Sequence, residues 1–376
     1  MVRCDMSEGH ISPPGEFIRQ ELEKRGWGQA DLAQILGRPL PTINEIIQGK
    51  KAIMPEMAVA LGVAFGTGPE VWMQREAQYR LSLVERDSPD IERRARMFAL
   101  APVKDMERRG WIKKTESADA LEVELRRFFE VDDLASEPVI SATARQSTGA
   151  FTLTAPQKAW CFRAKKLARS VQAARFDEST LAQGVVELRK LAAFPESVKE
   201  VPKVLGQLGV RFVVIEHLPE SRIDGAAFWL DAGSPVIALS IRYDRIDGFW
   251  HTLFHELAHI RHWDSISVDD ALVGESRIHA SLLADIEARA EADAADALIA
   301  KDKLRSFIIR VKPYYSKTRL IQFAHRMGVH PGIVAGQLQH LGEISYATNR
   351  EMLAKIRDLA TSTALTDGWG KVAPAL

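Results

Sequence analysis

Arg245-Ile246-Asp247-Gly248-Phe249-Trp250-His251-Thr252-Leu253-Phe254-His255-Glu256-Leu257-Ala258-His259-Ile260-Arg261-His262-Trp263-Asp264 is the stretch on which the reading of this chain turns. At roughly 100° per residue, Phe249, Trp250, Leu253, Phe254, Leu257, Ala258 and Ile260 share one half of a helical cylinder. His251, His255, His259 and His262 share the other half, with Glu256 towards its edge. Asp247 before Gly248 is the expected N-cap. Within this helix His255-Glu256-Leu257-Ala258-His259 is an H-E-x-x-H pentad. Two histidines one turn apart can hold one Zn2+ ion, and the glutamate between them is placed to act as general base in metal-assisted hydrolysis. A bare pentad arises by chance in roughly 2% of chains this long, so the apolar back and histidine front of the helix decide in its favour over a merely solvated histidine face.

Two histidines leave a catalytic zinc short of one protein ligand, and His251 lies a further turn away from both. The third is expected from the alanine-rich run Asp285 to Ile299, whose small residues permit close packing on the histidine helix. Upstream, Val210 to Ile215, Ala226 to Leu230 and Val236 to Ile241 are β-branched and strand-like, with polar or Gly/Pro turns between them. Strands leading into the histidine helix, with further helices after it, predict a small α+β domain.

The pairing of the pentad with Glu287, Ala290, Ala294 and Ala295 resembles the ImmA/IrrE family of metallopeptidases, whose second helix has the form E-x-x-A-N-x-F-A-A. The resemblance covers roughly residues 195 to 345, including Phe323 to Gln339. It implies a zincin-like fold and a zinc endopeptidase with His255, His259 and Glu287 as metal ligands and Glu256 as catalytic base. Glu291 stands where that family has Asn or Asp and Asp293 where it has Phe, so the first departure alters a hydrogen bond behind the metal ligands and the second puts a charge in an apolar seat. His330, Tyr314 and Tyr315 are the candidates for stabilising an oxyanion.

The first eighty residues read differently. Phe17, Ile18 and Leu22, then Leu32, Ile35 and Leu36, then Ile43, Ile46 and Ile47 mark short helices stopped at Gly37 and Gly49. Pro55 to Val63 makes a fourth, and Thr67-Gly68-Pro69-Glu70 reads as a capping box opening a fifth. The pair around Gly37 has helix-turn-helix spacing. Gly15 to Ile18, Gln29 to Ala33, Thr42 to Lys50 and Pro69 to Trp72 resemble the Cro/repressor-type domain of HigA and VapI antitoxins. That resemblance implies a homodimer bound to double-stranded operator DNA. Arg38, Thr42, Asn44 and Gln48 are then the base-reading candidates, and Lys50 and Lys51 the phosphate contacts.

The expected fold is multidomain: an all-α helix-turn-helix bundle over 12–85, a helical connecting region over 86–195, a zincin-like metallopeptidase domain over 196–305 and a helical C-terminal segment over 306–376. In the middle region Asp119 to Phe129 and Gln157 to Ala174 have helical spacing, and Ser136 to Ala155 reads as a connection. Across 376 residues, 50 Lys and Arg balance 50 Asp and Glu, so any DNA binding must come from a local element rather than an overall basic field. No apolar run suggests a membrane span or a signal segment, and the two cysteines lack ligand spacing, so the cytoplasm is the default compartment. Two functions follow as alternatives: a DNA-binding regulator acting by proteolysis of itself or of a partner repressor, or an antitoxin that represses its own operon and binds a cognate toxin, with the zinc domain structural or sensory.

Overall fold

The computed structural model describes residues 12–83, 89–135, 153–264, 267–268 and 277–367. Two compact units divide between Ile91 and Glu92. The expected connection at Ser136 to Ala155 falls mostly outside the described residues.

The first unit has five helices: α1 (Pro14–Arg25), α2 (Gln29–Ile35), α3 (Leu40–Ile47), α4 (Pro55–Phe65) and α5 (Pro69–Leu83). Each helix contributes apolar residues to one core, from Ile18 and Leu22 through Leu32, Ile43, Ile46 and Ile47 to Leu61, Phe65 and Trp72. Gly37 closes the turn between α2 and α3 at φ +59°, a conformation in which a β-carbon would be strained. The expected capping box differs in detail. Helix α5 starts at Pro69, and the Thr67 hydroxyl instead accepts a hydrogen bond from the buried Trp72 indole at 2.8 Å.

The second unit is built on a small mixed sheet in the order β4-β2-β3-β1-β5. Its strands are β1 (Arg211–Val214), β2 (Gly225–Trp229), β3 (Pro235–Leu239), β4 (Ser267–Val268) and β5 (Leu365–Thr366). Strand β1 runs parallel to β3 and β5, whereas β2 is antiparallel to β3 and β4. Because side chains alternate along a strand, Phe212, Val214, Ala227, Trp229, Ile237 and Leu239 enter one core and Val213, Ala226, Phe228, Val236 and Ala238 the other. Both faces are therefore covered. Helices Ala118–Phe129 and Ala155–Ala168 lie on the second face. On the first lie the histidine helix, Ile246–His262, with Glu178–Leu191, Lys301–Val311, Lys317–Met327 and Pro331–His340.

Segments that the sequence separates as a connecting region and a C-terminal appendage thus supply layers of the same body as the strands. A sheet that buries both faces requires such cover. The 155–168 helix ends earlier than the spacing out to Ala174 suggests, and Arg245 rather than Asp247 is the N-cap of the histidine helix. Asp247 sits in the first helical turn, where its carboxylate accepts two hydrogen bonds from Arg245. No described helix is long and apolar enough to cross a membrane.

Candidate functional site

The histidine helix packs its aromatic and aliphatic back, Phe249, Trp250, Leu253, Phe254, Leu257 and Ile260, into the core beneath the sheet. Its other face meets the alanine-rich helix Arg277–Leu298. Ala290 and Ala294 are fully buried, and such small residues at a contact let two helix backbones approach closely. The approach brings Glu287 Oε2 to 3.1 Å from His255 Nε2 and 3.7 Å from His259 Nε2. The two Nε2 atoms are 3.0 Å apart. Donor atoms around one tetrahedral ion with bonds of about 2.0–2.1 Å are separated by about 3.3 Å, so this arrangement has the dimensions of a metal site. Two imidazole nitrogens and one carboxylate oxygen are also the donor set that suits zinc.

The electrostatics of the three groups are coupled. Burial by itself favours the neutral form of Glu287, but its contacts with His255 and His259 outweigh burial and hold the carboxyl at about pKa 2. Burial likewise disfavours charge on His259. The Asp264 hydrogen bond, Glu287 and the nearby charge of Glu256 overcome it and raise the imidazole to about 9. Asp264, which the sequence reading does not single out, takes part because Trp263 adopts a left-handed conformation (φ 56°) and turns the chain back. The Asp264 carboxylate then lies 3.0 Å from His259 Nδ1 and accepts from Arg289 at 2.8 and 2.9 Å. An acidic residue five positions after the second histidine was the available signal.

Glu256 is wholly buried. It lies against β2 at Gly225, where a β-carbon would come within 2.6 Å of Glu256 Oε1 and 2.8 Å of Thr252 Cγ2. Only glycine leaves the room. The departures at Glu291 and Asp293 find partners on the histidine helix: Glu291 Oε2 lies 2.8 Å from His251 Nε2, and Asp293 Oδ2 lies 2.8 Å from His262 Nε2. Asp293 therefore occupies a half-buried position beside the His262 ring rather than an apolar seat. Of the oxyanion candidates, His330 caps the helix Pro331–His340, Tyr315 donates to Glu343, and Tyr314 is exposed.

Beside the centre is a cavity of about 770 Å³. His251, Thr252 and Glu291 belong to its polar lining, and Leu239, Phe249, Ile299 and Ile333 are among its apolar lining.

In the first unit, Arg38, Gln48, Lys50 and Lys51 are exposed, and Thr42 and Asn44 are half-buried. Asn44 Oδ1 is buried with no hydrogen-bond partner among the described residues. The face of α3 opposite Ile43, Ile46 and Ile47 carries Pro41, Glu45 and Gln48. Glu45 is the outward side chain that sequence reasoning missed.

Residues 18–72 match the Helix-turn-helix family. Virulence-associated protein A' of Dichelobacter nodosus is 35% identical over 78 residues, which is 20% of this chain and 68% of that protein. An uncharacterized HTH-type transcriptional regulator of Escherichia coli is 27% identical over 84 residues, 22% of this chain and 88% of that one. Among solved structures, an addiction module antidote protein of the HigA family from Coxiella burnetii is 28% identical, covering 20% of this chain and 83% of that one with a TM-score of 0.20.

Proposed function

The chain belongs to the helix-turn-helix family and carries an antitoxin-like DNA-binding domain at its N-terminal end, and on that premise we propose a transcriptional regulator whose second unit is a zinc metallo-endopeptidase. In this reading the second unit is of the ImmA/IrrE kind and acts on a peptide bond of the chain itself or of a partner repressor. The observation that carries it is the convergence of His255 Nε2, His259 Nε2 and Glu287 Oε2 on one point, with Glu256 in the same helical turn. His255, His259 and Glu287 would hold the ion, and bound zinc supplies Lewis acidity together with a lowered water pKa. Asp264 holds His259 Nδ1 and so fixes which ring nitrogen faces the site. Glu256 takes a proton from the attacking water and passes it to the leaving amine. The adjoining cavity is apolar enough to receive a side chain of the cleaved peptide.

For the first unit the proposal is a homodimer on operator DNA. Gln48 and Arg38 reach base edges, with Thr42 and Asn44 at the flanks of α3, and Lys50 and Lys51 contact phosphates. The second reading is an antitoxin that binds a cognate toxin and uses its metal domain as structure or sensor. One feature favours it: Glu256 is closed off from solvent, whereas a general base must reach water.

Incubation of the zinc-loaded chain with its gene-neighbour proteins, read by mass spectrometry for new termini, separates the two. The peptidase reading expects cleavage by wild type and none by Glu256→Gln at unchanged zinc content. Equal products from both overturn it.

A further inference from the structure

The His255 ring has two nitrogens, and they face different groups. Nε2 points into the cluster with His259 and Glu287. Nδ1 is buried, makes no hydrogen bond among the described residues and lies 3.8 Å from Glu291 Oε2. On that side His251 Nε2 is 2.8 Å from the same carboxylate oxygen. The other Glu291 oxygen lies 3.4 Å from His340 Nε2, on the helix Pro331–His340. The His251 and His340 ring centroids are 6.5 Å apart with their planes 28° from parallel.

Three separate helices therefore deliver donors to one spot on the cavity wall. His251, His255 and Glu291 each offer a ligand atom within 4.8 Å of the others, and His340 stands at the open rim. Helix spacing makes this possible: His251 is one turn before His255, and Glu291 one turn after Glu287, so the second set repeats the first along both helices.

We propose that His251, His255 Nδ1 and Glu291, with His340 closing the open side, form a second site for a zinc-like divalent cation, joined to the first through the His255 ring. It shares only His255 with the centre proposed above and does not require peptidase activity. Imidazole nitrogens with one carboxylate select Zn2+, Co2+, Ni2+ or Cu2+ over Mg2+ and Ca2+, which prefer all-oxygen sets. A neutral imidazole coordinates through one nitrogen and keeps a proton on the other. When both ions are bound, the ring releases that last proton to solvent; when the second is bound alone, Nε2 retains it. The two half-exposed donors and the exposed His340 make this the weaker and more exchangeable site, set where the cavity meets the metal centre.

The test is a zinc titration of the chelator-stripped full-length chain against a chromophoric competitor, with wild type, His251→Ala, His340→Ala and His259→Ala side by side. Two zinc ions per chain are expected in wild type, one in His251→Ala and one in His259→Ala, with His340→Ala keeping two but weakening one roughly 10-fold or more. Circular dichroism of each variant reports folding; His340 lies at the surface, so its substitution probes the site without touching the core. A single wild-type zinc that survives His251→Ala and is lost in His259→Ala overturns this proposal and leaves the first centre standing. A single zinc lost in His251→Ala and kept in His259→Ala supports it and overturns the first centre. No zinc in wild type overturns both.

Discussion

His259 Nδ1 and the Asp264 carboxylate stand 3.0 Å apart, and Arg289 holds the same carboxylate from the neighbouring helix. A residue just past the end of the histidine helix thus orients the second histidine of the pentad, and the alanine-rich helix that carries Glu287 also anchors that residue. Asp264→Asn keeps the shape but removes the charge that supports His259. Zinc affinity at the first centre is expected to fall 10- to 100-fold with the fold retained, measured by competition titration beside circular dichroism.

The same contact gives the centre a pH dependence. His259 is raised to about 9, so in the metal-free chain at neutral pH it is largely protonated and must lose a proton before Nε2 can act as a ligand. Protonation competes with the metal below that pKa and ceases to compete above it. Apparent zinc affinity should therefore rise by about tenfold per pH unit between pH 7 and 8 and level off above 9. Calorimetry in buffers of different ionisation enthalpy should detect about one proton released per zinc at pH 7 from this group; a flat profile would show that His259 is already neutral.

Gly225 tests the seat of Glu256. A methyl group there meets Glu256 Oε1 and Thr252 Cγ2 inside van der Waals distance. Gly225→Ala should destabilise the second unit by about 1–3 kcal/mol through overpacking and displace Glu256, lowering cleavage more than zinc content. Urea unfolding and metal analysis on the same preparation distinguish the two effects.

On the DNA side, Glu45 projects from the outward face of α3, where a carboxylate faces phosphates unless it accepts from a cytosine amino group. Glu45→Gln should raise non-specific DNA affinity, and Lys50→Ala should reduce the salt slope of binding by about one. Gel shifts across a salt series measure both. Unchanged non-specific binding by Glu45→Gln would place this residue away from the backbone.

How much of this was legible in the sequence varies with the range of the interactions. The helices on either side of Gly37, the three central strands and the histidine helix are written in local periodicity, and they appear within a few residues of their expected ends. The approach of Glu287 to His255 and His259 is legible from the alanine run, because small residues at one face of a helix invite a close neighbour. The sheet order is not legible. Strand β5 pairs with β1 across some 150 residues, and β4 is two residues long, so neither leaves a periodic trace. Asp264 was missed because its role depends on the reversed backbone at Trp263. The pairing of Asp293 with His262 was missed because charge on a helix face reads as solvation until its partner helix is placed. Asn44 reads as an outward polar residue, yet its helical phase sets it on the flank of α3 with a buried oxygen.

The measurement that bears most directly on the central claim is anomalous diffraction at the zinc edge from crystals of the zinc-loaded chain and of Glu287→Ala. A peak bounded by His255 Nε2, His259 Nε2 and Glu287 at about 2.0–2.2 Å from each is expected in wild type, with its loss or strong reduction in the variant. No peak at that point in wild type, or an undiminished one in Glu287→Ala, would contradict it.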